Sequence, residues 1–172
     1  MRILITGATG LVGSAIVEQC HKKNIAVNYL TTSKSKITSE PNFQGYYWNP
    51  DKAEIDLDCF DGVSAIINLA GATISKRWTS SYRKVIISSR VNSLRTLHDA
   101  LSKVDTSKIT SFVSASATGR YPNSLSKFYT ESETAVDDSF LGEVVEVWEK
   151  ETDKFKSFDF KVAKVRIGLV MS

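Results

Sequence analysis

The first thirteen residues constrain the fold of this chain more than any other stretch. Residues 2–6 form a short apolar run of the kind found in a strand buried on both faces of a parallel sheet. The run stops at Gly7, Gly10 and Gly13 follow, and apolar residues spaced three or four apart then predict an amphipathic helix. The stretch therefore predicts a strand, a glycine turn and a helix, in that order.

The glycines of this turn predict an anion-binding site. Gly7 permits backbone angles that a side chain would penalise, Gly10 lets the backbone approach a pyrophosphate, and Gly13 lets the helix pack close to the strand. Unpaired N–H groups at the start of the helix favour the anion. The usual dinucleotide-binding fingerprint is G-x-G-x-x-G, whereas the spacing here is G-x-x-G-x-x-G. A P-loop fits less well, because no Gly-Lys-Ser/Thr follows the glycines. The predicted contacts are Gly7, Ala8, Thr9, Gly10, Leu11, Val12 and Gly13. The alternative is a glycine turn with a structural role alone.

Composition narrows the class of protein. A chain of 172 residues with 42% hydrophobic and 24% charged residues suits one globular domain. A net charge of +3, with scattered Lys and Arg, does not indicate nucleic acid binding. Cys20 and Cys59 have no partners at metal-ligand spacing, so we expect no metal site. No signal peptide or bilayer-spanning stretch is present, and we therefore expect a cytoplasmic protein without membrane contact.

The end of the second predicted strand, residues 25–30, indicates the cofactor. An NAD site places Asp or Glu about 20 residues beyond the glycines, to accept hydrogen bonds from the ribose. This chain instead has Thr31, Thr32, Ser33 and Lys34, with Lys36 shortly after. Hydroxyls and lysines suit a 2′-phosphate, so NADP is favoured over NAD. The alternative is a loop of solvated charges.

The remaining pattern alternates strands and helices. Further strands are predicted at residues 63–69, 109–113 and 161–171, and helices at residues 79–101 and 139–155. Thr79 is the expected N-cap of the first of these helices, and Asp137 or Asp138 that of the second. Residues 46–56 are either a hairpin or an irregular third strand. The fold class is α/β, a doubly wound parallel sheet of about six strands with helices on both faces.

Several motifs, in order along the chain, carry a family resemblance. They are TGATGLVG at 6–13, WNP at 48–50, NLAG at 68–71, RW at 77–78, SRV at 89–91, SASA at 114–117 and RIGLV at 166–170. Together they resemble the extended short-chain dehydrogenase/reductases, the NAD-dependent epimerase/dehydratase family, and its YfcH-like epimerase branch. The resemblance implies a single Rossmann NAD(P)-binding domain over residues 1–172, without the family's C-terminal substrate lobe. It also implies a homodimer built on long helices.

The resemblance implies further site residues. Leu69, Ala70 and Gly71 would lie against the adenosine side of the cofactor, and Arg90 and Ser114 are further candidate cofactor contacts. Arg90 could equally reach a substrate acid or pair with a neighbouring carboxylate.

The catalytic residues depart from the family pattern. The resemblance implies a Ser116 hydroxyl that polarises a substrate carbonyl, and a Tyr with a Lys four residues later that transfers the proton. No tyrosine here has that lysine, and the matching helix positions are Leu141 and Val145. Tyr121 is a candidate acid/base, with Lys127 as its partner.

The motifs and the missing Tyr/Lys pair lead to two hypotheses about function. The first is an NADP-dependent, nucleoside-diphosphate-sugar epimerase-like oxidoreductase, which acts by hydride transfer on an unidentified carbonyl or sugar. The alternative is a non-catalytic dinucleotide-binding module, a redox sensor or interaction scaffold, because the Tyr/Lys pair is missing.

Overall fold

The computed structural model describes residues 1–170. The strands and helices, in chain order, are β1 (Arg2–Thr6), α1 (Leu11–Lys22), β2 (Ala26–Thr31), β3 (Ser39–Glu40), β4 (Phe43–Asn49), β5 (Glu54–Ile55), β6 (Ala65–Asn68), α2 (Ser80–Leu101), β7 (Ser111–Ala117), α3 (Phe140–Asp153) and β8 (Lys161–Ile167). Short 3₁₀ turns connect several of them.

One sheet organises these elements. Its order is β3-β4-β2-β1-β6-β7-β8, with β5 paired to β4. Strands β4, β2, β1, β6, β7 and β8 are parallel, whereas β3 and β5 are two-residue strands that run antiparallel to β4. The parallel strands have the doubly wound order, with the first strand at the centre and a crossover from β4 on one side of it to β6 on the other. The α/β prediction is confirmed. The segment at 46–56 combines both alternatives, since β4 is the third parallel strand and β5 folds back on it.

Helices cover both faces of the sheet. On one face, Cys20 of α1 packs with Ile3 and Ile5 of β1. On the other face, α2 and α3 pack over the sheet, and Phe112 of β7 stacks on Phe155 with ring centroids 4.0 Å apart. The alternation of side chains along each strand separates these two cores.

Helix boundaries follow their caps. Thr79 caps α2 as predicted, because its hydroxyl accepts the N–H of Tyr82 at 3.2 Å. The prediction for α3 was wrong: Ser139 is the N-cap, and its hydroxyl accepts the N–H of Gly142 at 3.3 Å. Asp137 instead accepts the N–H of Ser139 at 3.0 Å and so orients the cap.

Strand β7 starts and ends later than predicted. Its apolar run ends at Val113, but the strand continues to Ala117, and this brings Ser114 and Ser116 into the sheet. Strand β8 ends at Ile167 rather than at residue 171, which lies outside the described residues. Within residues 1–170, no helix is both long and apolar enough to cross a membrane.

Candidate functional site

The glycine turn joins β1 to α1 at the carboxyl edge of the sheet. Gly7 has φ of +71°, the left-handed region that favours glycine. Its carbonyl accepts the N–H of Gly10 at 3.0 Å. A Cβ on Gly13 would overlap the Gly7 carbonyl oxygen and lie 2.8 Å from the Cα of Ala8. Gly7 and Gly13 are therefore required by the backbone itself.

The start of α1 is open toward a ligand. Gly10 is the N-cap residue and offers no side-chain oxygen to the first helical turn, which contains no acidic residue. The N–H groups of that turn lack the side-chain acceptor that α2 and α3 receive from Thr79 and Ser139. Unpaired N–H groups at a helix N-terminus bind anions, and the turn fits a pyrophosphate.

A hydroxyl fixes the adjacent strand ends. Thr6 Oγ1 donates to Asn68 Oδ1 at 2.7 Å and accepts the N–H groups of Leu69 and Ala70, each at 3.0 Å. Asn68 Nδ2 donates in turn to the buried Ser114 Oγ at 3.2 Å. This network joins β1, β6 and β7, so it holds the NLAG segment against the glycine turn. The Ser114 hydroxyl therefore has a structural role in this buried network.

A cavity of about 520 Å³ opens at this edge. It is lined by seven predicted cofactor residues, namely Gly7, Thr9, Thr31, Thr32, Ser33, Ala70 and Gly71. Other predicted cofactor residues are not in its lining, namely Ala8, Gly10, Leu11, Val12, Gly13, Lys34, Leu69, Arg90 and Ser114. The lining also contains residues that were not predicted as cofactor contacts, namely Leu30, Trp48, Asn49, Pro50, Asp51, Ala72, Ser89 and Ser93. The WNP motif was the available signal, because Trp48 and Asn49 end strand β4 and Pro50 follows it, so the motif lies at the carboxyl edge of the sheet.

The two lysines after β2 take different positions. Lys36 lines the cavity. The ammonium of Lys34 lies 5.1 Å from the ring centroid of Tyr47. Across the cavity, Asp51 Oδ1 accepts a hydrogen bond from Asn92 at 3.0 Å. Of the two lysines, Lys36 is therefore the one that borders this cavity.

Arg90 supports the cavity wall from behind. Its Nη1 donates to the carbonyls of Ala72 and Ile86 at 3.2 and 2.9 Å, and its guanidinium lies 5.0 Å from the ring centroid of Trp148. A Cβ on Gly71 would lie 3.1 Å from its Cζ, so the glycine allows this contact. Burial lowers the pKa of Arg90. The guanidinium packs beneath the wall of the cavity.

Ser116 lies in a buried polar cluster. Its Oγ donates to Glu149 Oε1 at 2.6 Å, and Arg166 holds both oxygens of the same carboxylate at 2.8 and 3.1 Å. Burial opposes ionisation of Glu149, but hydrogen bonds from Arg166 and Ser116 and the charges of Arg166 and Lys164 outweigh it and lower its pKa. Ser116 is 3% exposed, and it lines neither the large cavity nor the second one described next.

Tyr121 lines this second cavity, of about 330 Å³, beyond β7. The cavity is also lined by Leu141, at the position where the family tyrosine is expected. The prediction that Lys127 partners Tyr121 was wrong: Lys127 Nζ pairs with Glu133 at 2.7 Å. The partner is Arg166, whose Nη1 donates to Tyr121 Oη at 2.7 Å. The loop does fold back, since Tyr129 stacks on the Tyr121 ring, but the Lys127 prediction failed because Glu133 holds the ammonium.

The doubly wound sheet, the glycine turn and the open helix N-terminus define a protein of the dinucleotide-binding Rossmann class. Residues 3–140 match the family model described as NAD dependent epimerase/dehydratase family, and the chain belongs to this family.

Relatives agree with this assignment. An epimerase family protein of Staphylococcus haemolyticus is 36% identical over 171 residues, which is 99% of this chain and 56% of that protein. A human epimerase family protein, in a crystal structure with NADPH, superposes with a TM-score of 0.78 at 22% identity over 100% of this chain and 55% of its own. A UDP-glucuronic acid 4-epimerase of Bacillus cereus, in complex with NAD, gives 0.74 at 18% identity over 98% and 56%. The chain thus spans about half the length of these proteins.

Proposed function

We propose that this chain is the NADP(H)-binding domain of a nucleoside-diphosphate-sugar epimerase-like oxidoreductase that acts by hydride transfer on a carbonyl or sugar. The observation that carries the proposal is the uncapped start of α1, set against the glycine turn beside the 520 Å³ cavity. Family membership supports it, as do structural relatives with bound NADPH and NAD.

The residues fit the cofactor in two regions. The N–H groups of the turn between Gly7 and Gly13 would hold the pyrophosphate. Thr31 and Thr32 at the end of β2, with Lys36 in the 3₁₀ turn that follows, would hold the adenosine ribose with its 2′-phosphate. Asp51 is the one acidic residue in the cavity lining, and it already accepts a hydrogen bond from Asn92. The positive charge of Lys36 therefore favours NADP over NAD.

Calorimetric titration of the full chain tests this preference. We expect NADPH to bind more tightly than NADH, and Lys36→Gln to weaken NADPH by about tenfold or more, because a charge-assisted hydrogen bond contributes about 1.5–3 kcal/mol. NADH affinity should not change. Lys34→Gln is the matched control, since it removes the same charge two residues away. Equal losses in both variants would contradict the assignment of Lys36, and no heat with either cofactor would refute the proposed function.

Tyr121 is the residue that the geometry favours for proton transfer. When bound, the reduced nicotinamide supplies a hydride to a carbonyl carbon. The Tyr121 phenol, in the second cavity, would supply the proton to the carbonyl oxygen and recover one from water. Ser116 suits the predicted polarising role poorly, because its hydroxyl hydrogen is directed to Glu149.

A specific observation favours the second candidate, a dinucleotide-binding module without turnover. Leu141 lies in the lining of the second cavity, where the family tyrosine is expected, and it cannot transfer a proton. Saturating NADPH with a panel of aldehydes and ketones separates the two candidates. Loss of nicotinamide absorbance that Tyr121→Phe abolishes supports the oxidoreductase. Tight binding with no consumption of NADPH supports the module.

A further inference from the structure

One carboxylate and one guanidinium organise the polar side chains beneath the second cavity. Glu149 of α3 is 4% exposed, and Arg166 of β8 pairs with Ser116 of β7 in the sheet register. Arg166 holds the carboxylate with Nε and Nη2, and this fork geometry adds specificity as well as energy. The remaining nitrogen, Nη1, points away from Glu149 to Tyr121 Oη and to the carbonyl of Glu131 at 3.2 Å.

The direction of each hydrogen bond follows from the chemistry of the groups. An ionised carboxylate only accepts and a guanidinium only donates. Ser116 must therefore donate to Glu149, and Tyr121 Oη must accept from Arg166. The hydrogen of Ser116 is used inside the protein. The hydrogen of Tyr121 is used in no hydrogen bond among residues 1–170.

The ring of Tyr121 is held on both sides. It stacks on Tyr129 with centroids 5.4 Å apart and planes at 13°, and the Arg166 guanidinium lies 5.0 Å from its centroid. Since its oxygen accepts from Arg166 and its ring borders the cavity, the free phenol hydrogen is available to an acceptor there.

We propose that Arg166, anchored by Glu149, positions Tyr121 so that its phenol donates to an oxygen of the ligand in the second cavity. Arg166, on strand β8, would thus take the place of the helix lysine that the family resemblance implies as the partner of the tyrosine. Ser116 belongs to the anchor and does not touch the ligand. The inference rests on the proposed function, because it takes the cavity beyond β7 as the nicotinamide end of the site. That location agrees with binding across the switch point, since β7 adjoins β6 at the carboxyl edge.

Nuclear magnetic resonance of the full chain, labelled with ¹³C at the tyrosine Cζ, tests the inference. Tyr121→Phe identifies the Tyr121 signal by its disappearance. NADP⁺ is then added to saturation, and calorimetry of the same samples measures its affinity. NADP⁺ needs no substrate, so the readout is independent of turnover. We expect the Tyr121 signal of the unaltered chain to move when NADP⁺ binds.

Arg166→Lys is the informative variant. It keeps the buried charge opposite Glu149, but one ammonium cannot hold the carboxylate in a fork and also reach Tyr121. We expect NADP⁺ affinity to stay within about twofold and the movement of the Tyr121 signal to fall by at least about half. Arg95→Lys is the matched control, because Arg95 also binds a buried glutamate, Glu151, at 2.7 Å. It should leave the Tyr121 response unchanged.

The outcomes distinguish a failure of this inference from a failure of the proposed function. If NADP⁺ binds and the Tyr121 signal of the unaltered chain does not move, the inference is wrong and the proposed function stands. An unchanged response in Arg166→Lys also overturns it. If NADP⁺ does not bind the unaltered chain, the proposed function fails, and the inference fails with it. Should Arg166→Lys not fold, Glu149→Gln replaces it, with the same expected loss of response.

Discussion

Substitutions at two glycines of the turn should affect the stability of the fold and the affinity for the cofactor separately. In Gly13→Ala, the new methyl would lie against the Gly7 carbonyl oxygen and 2.8 Å from the Cα of Ala8. Both neighbours are backbone, so they cannot rotate away, and we take the upper end of the cost of overpacking, about 3 kcal/mol. Alanine regains about 1 kcal/mol of helix propensity. The net loss is about 2 kcal/mol, or about 4–8 °C in Tm for a chain of this size.

Gly10→Ala should change the affinity for the cofactor rather than the stability of the fold. Gly10 has φ of −80° and ψ of 172°, an extended conformation that alanine adopts without strain. Its Cβ would lie 3.3 Å from the Gly7 carbonyl oxygen, a contact that a small shift relieves. Reduced entropy of the unfolded chain stabilises by about 0.4–1 kcal/mol, and a poorer N-cap removes a similar amount. We expect Tm to stay within about 2 °C and NADPH affinity to fall about tenfold or more, because under the proposed function the methyl would stand where the phosphates approach the turn.

Thermal unfolding by circular dichroism without cofactor, followed by calorimetric titration with NADPH, measures both effects. The unaltered chain and the two variants form the complete set. A Gly13→Ala protein as stable as the unaltered chain would show that this contact relaxes freely. Gly10→Ala with unchanged NADPH affinity would show that the phosphates do not approach the turn at Gly10.

Three further predictions concern the buried polar groups. Thr6→Val should lower the free energy of unfolding in urea by about 3 kcal/mol, because the N–H of Ala70 loses its acceptor and Asn68 Oδ1 loses its donor, whereas the N–H of Leu69 keeps the Thr6 carbonyl. Ser116→Ala should cost about 1.5–3 kcal/mol in the same assay and leave NADPH affinity unchanged, since it removes one hydrogen bond to a charged carboxylate. A weaker NADPH complex would contradict this placement. The pKa of Glu149 is lowered on folding, so its contribution to stability is complete above the unfolded pKa of about 4.3 and is lost as the pH falls through the folded value. Urea unfolding of Glu149→Gln should therefore show a smaller loss of stability than the unaltered chain between about pH 5 and pH 3; equal losses would contradict it.

The amino-terminal half of the site was predictable because its signals are local. The strand, the three glycines and the helix lie within residues 1–22, and each local preference agrees with the final fold. The hydroxyls after β2 were predictable for the same reason. The choice between Lys34 and Lys36 was not, because the two lysines flank one residue in a 3₁₀ turn whose direction depends on packing. The sequence shows two charges, and only the structure shows which of them faces the cavity.

The part of the candidate site around Tyr121 depends on long-range contacts and was therefore hard to predict. Tyr121 and Arg166 are 45 residues apart, and Ser116 and Glu149 are 33 apart. Serine and alanine alternate at the end of β7, so this part of the strand lacks the apolar pattern that predicts a buried strand. Its serines are nevertheless buried, because side chains from other elements hydrogen-bond to them. A nearby lysine, Lys127, was consequently chosen as the partner of Tyr121. Sequence proximity favoured it, but Lys127 pairs with Glu133 and Arg166 reaches the phenol from β8.

The two polar networks at the carboxyl edge have different energetic characters. The network around Thr6 and Asn68 is neutral, and it joins the ends of β1 and β6 to the middle of β7 at little cost. The pair of Glu149 and Arg166 is charged, and burying such a pair commonly stabilises less than apolar residues of the same volume would. Stability alone therefore does not explain why the pair is present here. A guanidinium held by a carboxylate leaves one nitrogen free, and here that nitrogen contacts the phenol of Tyr121 at the rim of a cavity. This remaining donor is what an apolar replacement could not supply.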